Sequence, residues 1–437
     1  MNLERLRTFR QSAYAAMGKA KDAVFELMDA VLLTRSVTSF AELSLCPIFR
    51  RQWSSIYEAI YDSRPQKANL RKLYIEQIPS NLGKRILLAG DHTDWSRPEA
   101  VTLKDRTYEH CKQPLGGGKP VTLGQGYSTL AWIPEDQGSW ALPLCHDHMT
   151  SFETPLSRGA FQLRQVCQIL KVRPVSVWDS EYGNASFVNQ TAAIPADKIM
   201  RLRPNRCLWR EPPPYSGTGR PRKHGEKFKL TDATTWGSPQ ETLILDDPTW
   251  GRVEIQHWEK MHFYHSPSVP MEVLRITRTG DKLSQKERKP MWLVWVGVDL
   301  PPLASIWYDY LRRFAVDHWN RLAKQRLHWT LPKLGTPERC QRWSDLLPLM
   351  TWQLWLAREI VVDKPLPWQK PCVLGNLTPG RVAQSFGGVL AMIGTPARAP
   401  KPRGKSPGWT KGRKRAKRIR YPVVKKGFSR PKKRKSG

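Results

Sequence analysis

Residues 303–329, LASIWYDYLRRFAVDHWNRLAKQRLHW, contain neither Gly nor Pro. The stretch reads as one long helix, and it limits what the chain can build more than any other segment. Tyr310, Arg313, Asp317 and Lys324 lie three, seven and fourteen residues apart from the first. At about 100° per residue they share an arc of roughly 60°. One helix face therefore carries a phenol, a guanidinium, a carboxylate and an ammonium. A solvated helix usually pairs unlike charges at i,i+4. A single acid among bases suits a cation held beside a phosphate chain, although scattered surface charge gives the same pattern.

The strand pattern supplies two further acids. KRILLAG is a short apolar run that suits a buried strand ending on Asp91. PVSVW is a second such run, followed by Asp179. Between them, 100–108, 127–134 and 138–144 alternate as an antiparallel set would. Gly116–Gly118 and the pair Gly124 and Gly126 read as turns between these strands. Helices are expected at 157–170 and 185–193, and strands at 198–202, 272–277 and 292–297. Residues 336–361 form an amphipathic helix in this reading, and Thr378-Pro379 opens another. The order predicts a mixed α/β fold with a central sheet.

Charge points to the partner. The 437-residue chain carries 71 Lys and Arg against 38 Asp and Glu, a net charge of +33. Such an excess favours nucleic acid. Residues 398–437 hold 18 of the basic residues and no acid, so this tail is expected to be disordered alone and to contact phosphates. Residues 1–80 read as helical, with basic polar faces compatible with DNA binding or with packing. Residues 204–285 are rich in Pro, Gly, Trp and β-formers, and include a basic loop with Arg220, Arg222 and Lys223. An extended Arg on such a loop suits a minor groove. The apolar run 291–298 is too short to span a bilayer. Seven scattered Cys without a C-x-x-C favour reduced thiols, no zinc site and a cytoplasmic setting. Cys145-His146-Asp147-His148 has metal-ligand residue types, but strand neighbours alternate faces, so chance proximity is the favoured reading.

If the fold brings Asp91, Asp179 and Asp317 together, they form an all-oxygen cluster suited to hard divalent cations. Asp94 lies three residues beyond Asp91 and is expected to orient Arg97 or cap a turn. Glu181 is a candidate outer acid.

These residues carry a family resemblance. Tyr310-x2-Arg313-x3-Asp317-x6-Lys324 resembles the Y-x2-R-x3-E-x6-K signature of DDE transposases of bacterial insertion sequences. ILLAGDHTDWSRPEA, GQGYSTLAWIPEDQGSWALPL, PVSVWDSEYGN, GRPRKHGEKFKL and GTPERCQRWSDLLPLMTWQLWLARE are similar to the same group, so the likeness covers about 84–425. The resemblance implies a ribonuclease-H-like core interrupted by a β-rich insertion, with an N-terminal helical domain and a basic tail. Together with the helical reading of the N-terminus, the expected boundaries are 1–80 for a helical, DNA-binding domain, 81–203 and 286–345 for the core, 204–285 for the insertion, 346–396 for C-terminal helices and 397–437 for the tail. It implies Asp91, Asp179 and Asp317 as catalytic metal ligands for two Mg²⁺ or Mn²⁺ ions. It implies Tyr310, Arg313 and Lys324 as phosphate contacts; Arg220, Arg222 and Lys223 are expected on DNA from the basic loop itself. The expected activity is cleavage at element ends and joining of the freed 3′-hydroxyl to target DNA, by a homodimer on double-stranded DNA and without a membrane. One position departs: Asp317 stands where the group has Glu, and its oxygens reach about 1.5 Å less far from the helix axis. An inactive DNA-binding descendant and a nuclease of the same fold are the alternatives.

Overall fold

The computed structural model describes residues 2–79, 85–110, 120–280, 284, 289–373, 375–402, 404, 408, 410–414 and 416–426. Gly116–Gly118, the end of the basic tail and part of the insertion lie outside them.

The chain opens with four helices, α1 (Asn2–Ala15), α2 (Lys21–Leu33), α3 (Ser54–Asp62) and α4 (Lys67–Glu76). The core strands and helices follow as β1 (Leu87–Ser96), β2 (Thr107–His110), β3 (Val121–Trp132), β4 (Leu142–Met149), α5 (Pro155–Cys167), β5 (Val175–Trp178), α6 (Ala185–Thr191) and β6 (Asp197–Leu202). The expected β-rich region contributes β7 (Cys207–Trp209), β8 (Lys227–Lys229), β9 (Glu241–Asp247), β10 (Gly251–Phe263) and β11 (Ser266–Thr279). β12 (Met291–Val296) precedes α7 (Leu303–Arg312), α8 (Phe314–Gln325), α9 (Pro337–Ser344), α10 (Leu346–Ala357) and α11 (Pro379–Ile393).

All twelve strands join one sheet. β4 pairs with β3, β3 with β1, β1 with β5, and β5 with β6, giving the order β4-β3-β1-β5-β6. β3 runs antiparallel to both of its neighbours β4 and β1, while β1, β5 and β6 run parallel. The two parallel connections pass through α5 and α6, because parallel neighbours need a crossover. This is the ribonuclease-H-like arrangement. β12 pairs antiparallel with β6, and the ladder continues through β11, β10 and β7 to β8, so the β-rich region extends the core sheet.

Local chemistry accounts for the elements that flank the site. α5 starts at a capping box in which Thr154 Oγ1 accepts from the Ser157 N–H and Pro155 occupies the first turn. α6 is capped by Asn184, whose Oδ1 accepts from the Phe187 N–H at 3.1 Å. Trp178, fully buried at the end of β5, packs on Tyr182 and Phe187 with centroids 4.8 Å away in each case.

Four expectations need correction. The stretch 303–329 is not one helix. Its ladder tightens at Arg313, where the Arg313 N–H bonds Tyr310 O at 3.1 Å and the Val316 N–H bonds Arg313 O at 3.0 Å. These i→i+3 bonds separate α7 from α8. The second helix stops at Gln325, and His328 takes a left-handed φ of 55°. β1 does not end at Asp91, since pairing with β3 continues to Ser96 opposite Gly124. Gly124 and Gly126 lie inside β3 rather than in a turn, and a Cβ on Gly124 would sit 2.1 Å from the Trp95 carbonyl oxygen. The region 336–361 forms α9 and α10, parted at Asp345.

The N-terminal helices share a core with the C-terminal ones. α1 packs on α10, and α11 packs on both α10 and α2. Buried Arg10 donates to Asp29 Oδ1 at 2.8 Å and Oδ2 at 2.9 Å, and also to Gln353 and the Gly394 carbonyl.

Candidate active site

The parallel pairing of β1 with β5 ends at Gly90 opposite Trp178. Asp91 and Asp179 are the next residue on each chain, so they stand side by side where β5 stops. Gly90 makes the close approach feasible: a Cβ there would lie 1.9 Å from the Trp178 ring. α8 packs against β1 and α7 against β5, which sets the Arg313 junction over this pair of acids.

Arg313 occupies the centre. Its Nη1 is 3.9 Å from Asp91 Oδ1, and its Nη2 is 3.4 Å from Asp317 Oδ2. Burial opposes its charge, but Asp91, Tyr310, Asp317 and Asp179 together raise its pKa. Asp91 is buried, and burial pushes its carboxyl up to about 6; Arg313 and His92 oppose this, while Asp317 and Asp179 add to it. Asp317 is more open, with 41% of its side chain exposed. Tyr310 is buried, which raises its phenol, while the neighbouring Arg313 charge opposes the rise. Lys324 Nζ pairs with Asp94 Oδ1 at 3.4 Å and lies over the Trp329 ring. Asp94 therefore engages Lys324 rather than Arg97, which instead donates to the Leu334 carbonyl at 3.0 Å.

Three residues join this site that the sequence pattern did not single out or assigned only loosely. Asn320 Nδ2 donates to Asp91 Oδ2 at 3.4 Å, and its Oδ1 is buried without a partner. It follows Arg313 and Asp317 by seven and three residues on the same helix face, and that spacing was the signal available. His92 Nε2 faces Glu181 Oε2 at 3.6 Å. The Glu181 N–H donates to Asp179 Oδ1 at 2.9 Å and fixes that carboxylate at the start of the loop after β5.

The fold thus gathers Asp91, Asp179, Tyr310, Arg313, Asp317 and Lys324 around the middle of β1. Arg220, Arg222 and Lys223 are exposed on the loop between β7 and β8. Tyr215 Oη bonds the Gly219 carbonyl at 2.7 Å and folds that loop back on itself. Among the described residues, no group of three His, Cys, Asp or Glu side chains lies close enough to hold a metal ion. The donor types still suit a hard cation: every candidate ligand is an oxygen, Asp91 is a buried carboxylate whose ion pair with Arg313 is a long 3.9 Å, and Asn320 Oδ1 is unsatisfied beside it.

Cys145-His146-Asp147-His148 lies on β4 and is split between faces. Asp147 accepts from Gln162 of α5 at 2.9 Å and from Lys67 at 3.0 Å, whereas His146 packs against Trp319 and Trp329. Burial holds His146 down to about 3 and His148 down to about 4, so both are neutral members of the core. The described cysteines are all free. No described helix is long and apolar enough to cross a membrane.

The sheet is ribonuclease-H-like, with Asp91 on β1 and Asp179 just past the end of the parallel strand β5. A sequence model of the DDE superfamily endonucleases matches residues 13–261, more than half of the chain, and the chain belongs to that family. The matched region contains Asp91 and Asp179 and ends before α7. No curated protein matches the chain.

Proposed function

We propose that the chain is a DNA transposase that binds the ends of an insertion sequence, cleaves there, and joins the freed 3′-hydroxyl to target DNA. The observation that carries this reading is the register of β1 and β5, which sets Asp91 beside Asp179 under the Arg313–Asp317 turn of α8. Membership among DDE endonucleases supports DNA as the substrate and a divalent metal as cofactor.

Asp91, Asp179 and Asp317 would hold the metal, two Mg²⁺ or Mn²⁺ ions on this reading. Bound there, the ions neutralise phosphate charge and make a water or 3′-hydroxyl a better nucleophile. The chain's own side chains do the rest. Arg313 neutralises the acids in the metal-free protein and is positioned to hold a phosphate once their charge is met elsewhere. The Tyr310 hydroxyl adjoins that guanidinium. Lys324, released from Asp94, holds the next phosphate along the strand. Arg220, Arg222 and Lys223 reach the duplex from their exposed loop. Two copies, one on each element end, would complete a homodimer on DNA, in the cytoplasm and associated with the nucleoid.

The test uses purified protein, Mg²⁺ and duplexes made from the DNA flanking the gene, with any terminal inverted repeats found there. Cleaved and joined products are expected. Binding without cleavage would overturn the enzyme reading and leave a DNA-binding descendant. That second reading draws on Asp317, which is shorter than Glu, and on the lack of a close three-acid group among the described residues. Cleavage without joining would identify a nuclease of the same fold.

A further inference from the structure

The basic C-terminal segment is fastened to the body at two places. At its start, Arg50 Nη2 donates to the Ala397 carbonyl and Arg51 Nη2 to the Arg398 carbonyl, both at 2.8 Å, while the Arg398 N–H donates to Asp22 at 2.8 Å. Further on, it lies along the free edge of β2. The Tyr421 N–H bonds the Val101 carbonyl at 2.9 Å, and the Val424 N–H bonds the Arg106 carbonyl at 2.7 Å. Arg106 Nη2 returns a bond to the Tyr421 carbonyl at 3.4 Å, and Val424 pairs with Thr107 as a parallel bridge. Lys426 Nζ closes the contact on Glu109 at 2.5 Å, with only 17% and 7% of the two side chains exposed. Between the anchors, Lys401, Lys411, Lys414, Lys417, Arg418 and Arg420 are exposed.

A free basic arm would meet phosphates anywhere within its reach. The residues next to the second anchor instead hold their charges at a set distance from the acids. That distance can be read from the ladder. Ser96 stands opposite Gly124, Gly124 opposite Thr107, and Thr107 opposite Val424. Three strand spacings across and five residues along β1 separate Val424 from Asp91, or about 22 Å. At about 3.4 Å per base pair this is six to seven base pairs of duplex.

We infer that the segment approaching Val424, with Arg418 and Arg420, is a fixed contact strip for the phosphate backbone of the DNA duplex. It grips the duplex within one helical turn of the cut. The inference rests on the proposed DNA substrate. The strip reads no bases; it sets where along the duplex the protein's electrostatic hold falls.

Val424→Pro removes the anchoring N–H without changing charge. Trypsin acting on DNA-free protein should spare Lys425 and Lys426 in the wild type and cut there in the variant. Equal cutting in both proteins would overturn the anchor. On DNA, hydroxyl-radical footprinting of the wild type should show protection about six to ten base pairs from the cut. Val424→Pro should lose that protection while keeping its core melting temperature. Arg418→Gln/Arg420→Gln, at exposed positions that leave folding intact, should lose the same protection and reduce the salt slope of binding by about 0.9 per cation removed. An unchanged footprint in Val424→Pro would overturn the fixed strip. Trypsin protection with no footprint anywhere on DNA would instead refute the DNA substrate itself, and the strip with it.

Discussion

Gly90→Ala tests the geometry on which the candidate site depends. The added methyl would meet three Trp178 ring carbons at 1.9, 2.3 and 2.4 Å. Carbon contacts are comfortable from about 3.5 Å, so the strands must part or the ring must move by roughly 1.6 Å. The ring has little freedom: it is fully buried, its Nε1 donates to Ser176 Oγ at 3.0 Å, and Gly159, Tyr182 and Phe187 surround it. Overpacking of this kind costs about 1–3 kcal/mol. If β1 and β5 separate by even 1 Å, Asp91 leaves Asp179, and a displacement of that size can lower a catalysed rate by about 10²-fold. Urea unfolding and cleavage of end-bearing duplexes measure the two effects. The partner variant Trp178→Leu should make room for the methyl, so Gly90→Ala should be milder in that background. A coupling of at least about 1 kcal/mol in the double-mutant cycle is expected for residues in direct contact. Wild-type stability and cleavage in Gly90→Ala, or additive effects in the double variant, would refute the claim that this close approach aligns the two acids.

Other expectations follow from single contacts. Asp317→Ala removes a well-exposed carboxylate, so stability should change by no more than about 0.5 kcal/mol in urea titrations while metal-dependent cleavage is abolished; Asp317→Glu should retain or raise it. Arg10→Met strands the fully buried Asp29 and should lower unfolding free energy by about 3–5 kcal/mol in the same assay. His146 has a folded-state pKa of about 3 against an ordinary 6.5, so the folded protein binds fewer protons than the unfolded chain between those values. Its contribution is full above pH 6.5 and is lost as pH falls, by up to about 1.4 kcal/mol per unit. The stability difference between wild type and His146→Phe, followed from pH 7 to pH 5, should shift against the wild type by that slope; a pH-independent difference would contradict neutral burial.

Periodicity and spacing made much of the site legible. The apolar runs before Asp91 and Asp179 became β1 and β5, and the face carrying Tyr310, Arg313, Asp317 and Lys324 does turn toward β1. What stayed hidden was set by tertiary pairing. HTDWS after Asp91 is polar enough to resemble a loop, yet the β3 partner draws it into the sheet. The break at Arg313 has no Pro or Gly to mark it, because it consists of two backbone bonds that shift from i→i+4 to i→i+3. Spacing placed Lys324 on one face with Arg313 and Asp317 but could not name Asp94 as its partner, since that contact joins residues 230 positions apart. The docking of Tyr421 and Val424 on β2 uses backbone donors, which leave no trace in side-chain pattern.

The shared core of α1, α2, α10 and α11 also bears on how the molecule is made. Gln353 lies 343 residues and Gly394 384 residues after Arg10 in the chain, so the partners that complete its buried network with Asp29 are made much later. At 5–20 residues per second, the first helices wait roughly 15–70 s for their partners. During that interval α1 and α2 can pack on each other and on α3 and α4, but the faces that α10 and α11 cover stay open. The leading helices are therefore a natural client for chaperones on the nascent chain, and a polypeptide released before α10 is complete cannot close its own beginning.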